Sequence, residues 1–123
     1  MAAGLATLKI ASSQGSYNKL FRKTERLARG LAEAAERAGI PIQVPFVCGM
    51  LSVFFSERPV HNLDEVTGSD APRFVRFFNE MLTRGVYLPP SPYEAWFVSL
   101  AHGENEIAKT LRAARVSFQC LAQ

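Results

Sequence analysis

The chain has 123 residues, with 14 Lys plus Arg against 11 Asp plus Glu for a net charge of +3; that is length for one domain around one core. Hydrophobic residues make up 48% and charged residues 20%, which excludes a disordered chain, and no apolar run approaches the roughly 20 residues of a membrane-spanning helix. The charge excess is too small to argue for a nucleic-acid partner, and the chain is too short for a complete large cofactor enzyme. A small binding domain and a piece of a larger enzyme both fit. Met1 to Leu5 carries no basic region followed by a long apolar stretch, so no secretory signal is expected. Cys48 and Cys120 are too few for a disulfide framework, and reduced thiols in a cytoplasmic protein are the expectation.

In chain order, Met1 to Ile10 is Ala-rich with Leu5 and Leu8 three apart, and reads as a helix that starts without a cap residue. Ser12 to Ser16, around Gly15, is a loop. Tyr17, Leu20, Phe21, Thr24, Leu27, Ala28, Leu31, Ala34, Ala35 and Ala38 then form one apolar stripe on a long helix, ended by Gly39 and Pro41. Ile42, Val44 and Phe46 alternate as a strand, with Pro45 suited to an edge or a bulge. Cys48-Gly49 makes a turn into a second strand, Met50 to Ser56, giving an antiparallel hairpin. Glu57 to Gly68 reads as a long polar loop.

Ser69 or Asp70 caps the next helix, with Pro72 in its first turn. Phe74, Phe77, Phe78, Met81 and Leu82 recur on one face, which is core spacing rather than a recognition surface, and Gly85 closes the helix. Val86 to Leu88 is extended, Pro89, Pro90 and Pro92 stiffen the next turn, and Trp96 to Leu100 reads as a buried strand. The last helix runs from Glu104 to Leu121 with Ile107, Leu111, Ala114, Phe118 and Leu121 inward; its early acids and later arginines suit the helix dipole. The order of elements predicts an α+β fold, a small, largely antiparallel sheet covered by helices.

Chemistry-bearing patterns are sparse. The glycines are scattered, mostly at turns or caps, and form no phosphate-binding loop. His61, His102, Cys48 and Cys120 are isolated from one another, so no metal site is expected; His102-Gly103-Glu104 lacks the Cys-x-x-Cys that a zinc deaminase adds. Ser91, Ser99 and Cys48 have no accompanying base pattern for nucleophilic catalysis, and Ser99 reads as a strand residue satisfied by the backbone. Lys19, Arg22, Lys23 and Arg26, joined by Arg29, make a basic stripe on the long helix. It can meet phosphate, although a solvated face balanced by Glu25, Glu33 and Glu36 is the simpler reading. The least ordinary stretch runs from Gly85 to His102. There Glu94 lies between a Pro-rich turn and an apolar strand, either as a surface carboxylate or as one held at the mouth of a cleft.

Within that stretch Gly85-Val86-Tyr87, Pro90-Ser91, Glu94-Ala95, Phe97, Ser99 and Ala101-His102 resemble the C-terminal part of the glutamate-1-semialdehyde 2,1-aminomutase family, pyridoxal-phosphate enzymes of the class III aminotransferases. Met1 to Leu8, Gly39-Ile40-Pro41, Gly49-Met50, Phe54-Phe55, Ser69-Asp70 and Arg73-Phe74 to Met81-Leu82 extend the resemblance over essentially the whole chain. Three positions depart from the family pattern. Cys48 stands where Gly is usual, Trp96 replaces an often small residue, and Gly103 stands where Ser or Thr often caps the last helix.

The resemblance implies a C-terminal fragment of a fold-type I enzyme. Residues 1–12 would end a helix leading in from a missing large domain, and 13–123 would form the C-terminal small domain. The family converts glutamate-1-semialdehyde to 5-aminolevulinate for tetrapyrrole synthesis, with pyridoxal phosphate as electron sink, and generally as a homodimer. The family's Schiff-base lysine precedes the region seen here, and Lys9, Lys19, Lys23 and Lys109 read as surface positions on helices. The fragment alone is therefore expected to be inactive, to bind no cofactor, and to carry no catalytic or metal-binding residue. Its one implied site residue is Glu94, gating or substrate-binding. Many related aminotransferases place there an arginine that grips a substrate carboxylate, and a carboxylate at that place repels such a group. The alternative is a free-standing α+β binding module that uses its basic helix face.

Overall fold

The computed structural model describes all of residues 1–123. Its elements in order are α1 (Ala2–Ala11), α2 (Ser16–Arg37), β1 (Phe46–Val47), β2 (Met50–Leu51), α3 (Leu63–Thr67), α4 (Ala71–Thr83), β3 (Trp96–Phe97) and α5 (Glu104–Leu121). The strands form one antiparallel sheet in the order β1-β2-β3, with Phe46 opposite Leu51 and Leu51 opposite Trp96. Helix α5 packs against both α2 and α4, and α2 also touches β1 and β2. This is the expected α+β arrangement, with less strand than the periodicity predicts. The hairpin's outer part is reduced to a single bridge between Gln43 and Phe54, because Pro45 offers only its carbonyl, to Ser52 N–H.

The helix stripes build the core. Leu27, Leu31, Ala34 and Ala35 of α2 meet Phe74, Phe77 and Met81 of α4 and Ile107, Leu111, Ala114, Phe118 and Leu121 of α5 in one buried cluster. Phe77 stacks on Phe118 at 4.5 Å between centroids, and Phe55 meets Phe77 edge-on at 5.7 Å. Three expectations fail at the margins of these stripes. Tyr17 and Phe21, at the start of the α2 stripe, are 61% and 43% exposed, and Leu82 is exposed on α4. Gly30 is neither turn nor cap: it lies in mid-α2, where an added Cβ would sit 2.6 Å from Leu111 Cδ2, so it lets α2 and α5 approach. The loop expected over Glu57 to Gly68 contains α3. There Asn62 Oδ1 accepts the Glu65 N–H, and the Glu65 carboxylate accepts the His61 N–H at 2.6 Å.

That N–H holds the Glu65 carboxyl below its ordinary value of 4.5. A lowered folded value makes its contribution fully present above 4.5 and lost as the pH falls through the folded value. Protection of the His61 amide in hydrogen exchange should accordingly be constant at neutral pH and fall only in acid below that range.

Two local features give further expectations. The hairpin turn places Cys48, not a glycine, at φ 45°, in the left-handed region where a Cβ costs about 1–2 kcal/mol. Cys48→Gly should therefore raise stability in urea unfolding by about 1 kcal/mol, part of the relief being offset by the freer unfolded chain. Asp70 is the residue that caps α4, accepting the Arg73 N–H at 2.9 Å. In α5, Ser117 is fully buried and its Oγ has no hydrogen-bond partner. Ser117→Ala removes an unpaired hydroxyl and improves helix propensity. A gain of about 0.5–1 kcal/mol is expected in the same measurement.

Candidate functional site

The stretch from Gly85 to Glu106 builds a cleft. Gly85, at φ 75°, ends α4 and turns the chain outward. Leu88 is buried and anchors the Pro-rich segment on the core. Ser91 then makes the turn that presents Glu94: its carbonyl accepts the Glu94 N–H at 3.2 Å and its Oγ accepts the Tyr93 N–H at 3.2 Å. Two residues on, Trp96 enters β3 opposite Leu51 and is buried. The expected buried strand from Trp96 to Leu100 is only Trp96–Phe97, and it alternates. Trp96 and Val98 point to the core, while Phe97 and Leu100 are exposed. Only one face of this sheet is covered, so a continuous apolar run did not signify burial on both sides.

The resulting cleft has a volume of about 550 Å³, within the range of small-molecule sites. Leu27, Val86, Leu88, Trp96 and Ile107 line it with apolar surface, and Glu94, His102, Glu106 and Thr110 supply the polar groups. Glu94 is exposed, and its carboxylate takes part in no ion pair or hydrogen bond within the chain. Glu106 Oε2 accepts the Gly103 N–H at 2.8 Å. This supplies half of a capping box; the glycine has no side chain to return the bond. The cleft lining includes two glutamates and no lysine or arginine.

These residues do not fit pyridoxal phosphate. A phosphate asks for cations or convergent N–H groups and an aldehyde for an unprotonated amine, whereas this wall is acidic. Lys9, Lys19 and Lys109 are exposed, and Lys23 is half-buried with its Nζ donating to the Leu100 carbonyl at 2.7 Å. His61, His102, Cys48 and Cys120 do not gather into any group of three metal ligands.

Other residues singled out by sequence fall differently from expectation. Ser99 lies beyond β3 rather than within a strand. Its N–H donates to His102 Nδ1 at 2.9 Å, and its Oγ is 3.0 Å from the same nitrogen. The basic stripe of α2 is neither a bare anion surface nor a purely solvated face. Lys23 holds Leu100, Arg26 pairs with Glu104 at the start of α5, and Arg29 pairs with Glu25 at 2.8 Å. The first of these contacts falls on the β3–α5 connection and the second on the first residue of α5. A Ser-x-x-His spacing just ahead of a helix was the available sequence signal for His102; nothing in the sequence marks the reach of Lys23 to a carbonyl 77 residues away.

The opposite face of the sheet is uncovered. Val47, Met50 and Phe97 are cross-strand neighbours and all exposed. Helix α1 buries no residue and leaves Leu5, Leu8 and Ile10 in solvent.

Comparison with solved structures gives the class. The chain superposes with a TM-score of 0.77 and 25% identity on the Sphingopyxis sp. MTA144 FumI protein, solved as its pyridoxal-phosphate internal aldimine form, over 97% of this chain and 26% of that one. A transaminase with pyridoxal phosphate bound gives a TM-score of 0.76 at 19% identity, which speaks for the fold. No family model matches the chain. In fold the chain is similar to pyridoxal-phosphate transaminases over about a quarter of their length. In sequence its relatives are more particular: it is 50% identical over 115 residues to glutamate-1-semialdehyde 2,1-aminomutase from two strains of Desulfitobacterium hafniense. The match takes in 94% of this chain and 27% of that enzyme, so the chain spans about a quarter of the length of the curated relatives it matches.

Proposed function

We propose that the chain is the C-terminal small domain of a glutamate-1-semialdehyde 2,1-aminomutase, the enzyme that moves an amino group between adjacent carbons to make 5-aminolevulinate for tetrapyrroles. The observation that carries this reading is the 50% identity sustained over 94% of the chain. The acidic cleft adds a role for the segment. It forms one wall of the substrate site, with the unpaired Glu94 at its mouth. The electron-sink chemistry of pyridoxal phosphate is supplied in the complete enzyme, where the Schiff-base lysine and phosphate cup lie in the large domain. That enzyme is a cytoplasmic homodimer, and its small-molecule substrate enters between the domains. The large domain covers the Val47, Met50 and Phe97 face and α1. The alternative, a free-standing binding module, would use the basic helix face, of which Lys23 and Arg26 make contacts within the chain.

A chimaera tests this. The corresponding segment of the Desulfitobacterium hafniense enzyme is replaced by this chain, and formation of 5-aminolevulinate is assayed. The chimaera is expected to be active, while the isolated 123-residue chain forms no product and retains no pyridoxal phosphate after dialysis. A chimaera that folds and holds the cofactor yet makes no product sinks the reading; so does cofactor retained by the isolated chain.

A further inference from the structure

The β3–α5 connection, residues 98–103, carries one rim of the cleft, and it has few backbone bonds of its own. The Val98 N–H reaches the Gly49 carbonyl at 2.8 Å, and the His102 N–H reaches the Ser99 carbonyl at 3.2 Å. The rest of its order comes from side chains. Among these, His102 is placed in a chemically specific way. Its Nδ1 accepts the Ser99 N–H at 2.9 Å. A ring nitrogen accepts an N–H through its lone pair, so Nδ1 is the acceptor edge of this imidazole. The Ser99 hydroxyl, 3.0 Å from the same lone pair, then acts as a second donor to it. Ser99 is not part of the cleft lining, whereas His102 is, so the Nδ1 contact joins the turn to a residue of the cleft wall.

We infer that His102 is a positioning residue for the acidic wall of the cleft: through Nδ1 it locks the Ser99–His102 turn, and through that turn it fixes the end of the strand that carries Trp96 and follows Glu94. Lys23 supports the same turn from α2 by holding the Leu100 carbonyl, and Arg26 secures Glu104 just beyond it. Its functional meaning rests on the cleft being the substrate wall proposed above; the lock itself does not.

The two nitrogens of an imidazole can be mimicked separately. Asn places its amide oxygen near Nδ1 and keeps an acceptor for the Ser99 N–H. Gln reaches the Nε2 position and leaves Nδ1 without a substitute. His102→Asn and His102→Gln are to be compared in the 123-residue chain by amide hydrogen exchange at Ser99, with the Phe77 amide as reference for global opening. Trp96, the single tryptophan and part of the cleft wall, reports by its emission. In His102→Gln the Ser99 exchange should rise roughly threefold to tenfold, as for one lost hydrogen bond, and the Trp96 emission should shift. In His102→Asn both should stay near the parent values.

If Asn and Gln behave alike, the acceptor at Nδ1 is not what matters and the inference fails. It fails equally if Ser99 loosens in the Gln variant while Trp96 does not respond, since the turn would then not set the wall. None of these readouts needs substrate or cofactor. An inactive, folded chimaera together with the Asn–Gln difference would overturn the functional reading and leave the lock standing.

Discussion

Phe77→Ala is expected to destabilise the chain by about 3–5 kcal/mol, the range for deleting a fully buried phenylalanine. Phe77 has no exposed surface, stacks on Phe118 and receives the edge of Phe55. It thus joins α4 to α5 and both to the segment that follows the hairpin. Truncation removes apolar burial, two aromatic contacts and the filling of a space that three rigid elements cannot collapse to close. Against a total stability of about 5–15 kcal/mol for a domain, that loss takes a large fraction of the whole. Equilibrium urea unfolding checks it. A loss under about 1 kcal/mol would show that the phenylalanines of α4 are not the centre of the core. Leu82→Ala, on the same face by sequence but exposed, should stay within about 0.5 kcal/mol of the parent.

That contrast marks where the sequence is readable. Phe74, Phe77 and Met81 follow helical spacing and are buried, and α5 occupies Glu104–Leu121 as its periodicity and early acids predict. Both are long elements whose pattern repeats over several turns, so local propensity and tertiary packing agree. The sheet is another matter. Trp96 to Leu100 looks like a doubly buried strand because Phe97 and Leu100 are apolar, yet both are exposed. Apolar character there marks exposed surface, and composition cannot tell such a surface from a core. Tyr17, Phe21 and the leucines of α1 mislead in the same way.

The cleft was legible only in part. Glu94 could be singled out because it interrupts a Pro-rich and apolar stretch. Its companions Glu106 and His102 sit on a different element or at its entry, and the fold brings them to the same lining. Lys23 was unreadable as a clamp, since its partner is a backbone carbonyl, which has no residue-type signature. The departure at Cys48 was legible as a missing glycine. Its physical consequence, a left-handed φ of 45° on a residue with a Cβ, emerges only from the turn geometry.

Glu94→Arg, introduced in the chimaeric aminomutase, should raise transamination with 2-oxoglutarate by roughly tenfold or more, which corresponds to about 1.4 kcal/mol. The reasoning is electrostatic. Glu94 is unpaired within the chain, and no lysine or arginine lines the cleft to neutralise it or Glu106. A dicarboxylate acceptor brought to this wall meets like charge, a juxtaposition that costs several kcal/mol when desolvated and less at an exposed carboxylate such as this one. Reversing the charge replaces repulsion by a guanidinium that can grip a carboxylate through two parallel bonds. Glu94→Gln separates the two effects. It removes repulsion without adding attraction, so its gain with 2-oxoglutarate should fall between the parent and the arginine variant. Equal rates with the dicarboxylate in all three proteins, each folded and holding cofactor, would mean that the carboxylate at the cleft mouth does not select the substrate. Glu94 would then be a surface residue whose charge the reaction never meets.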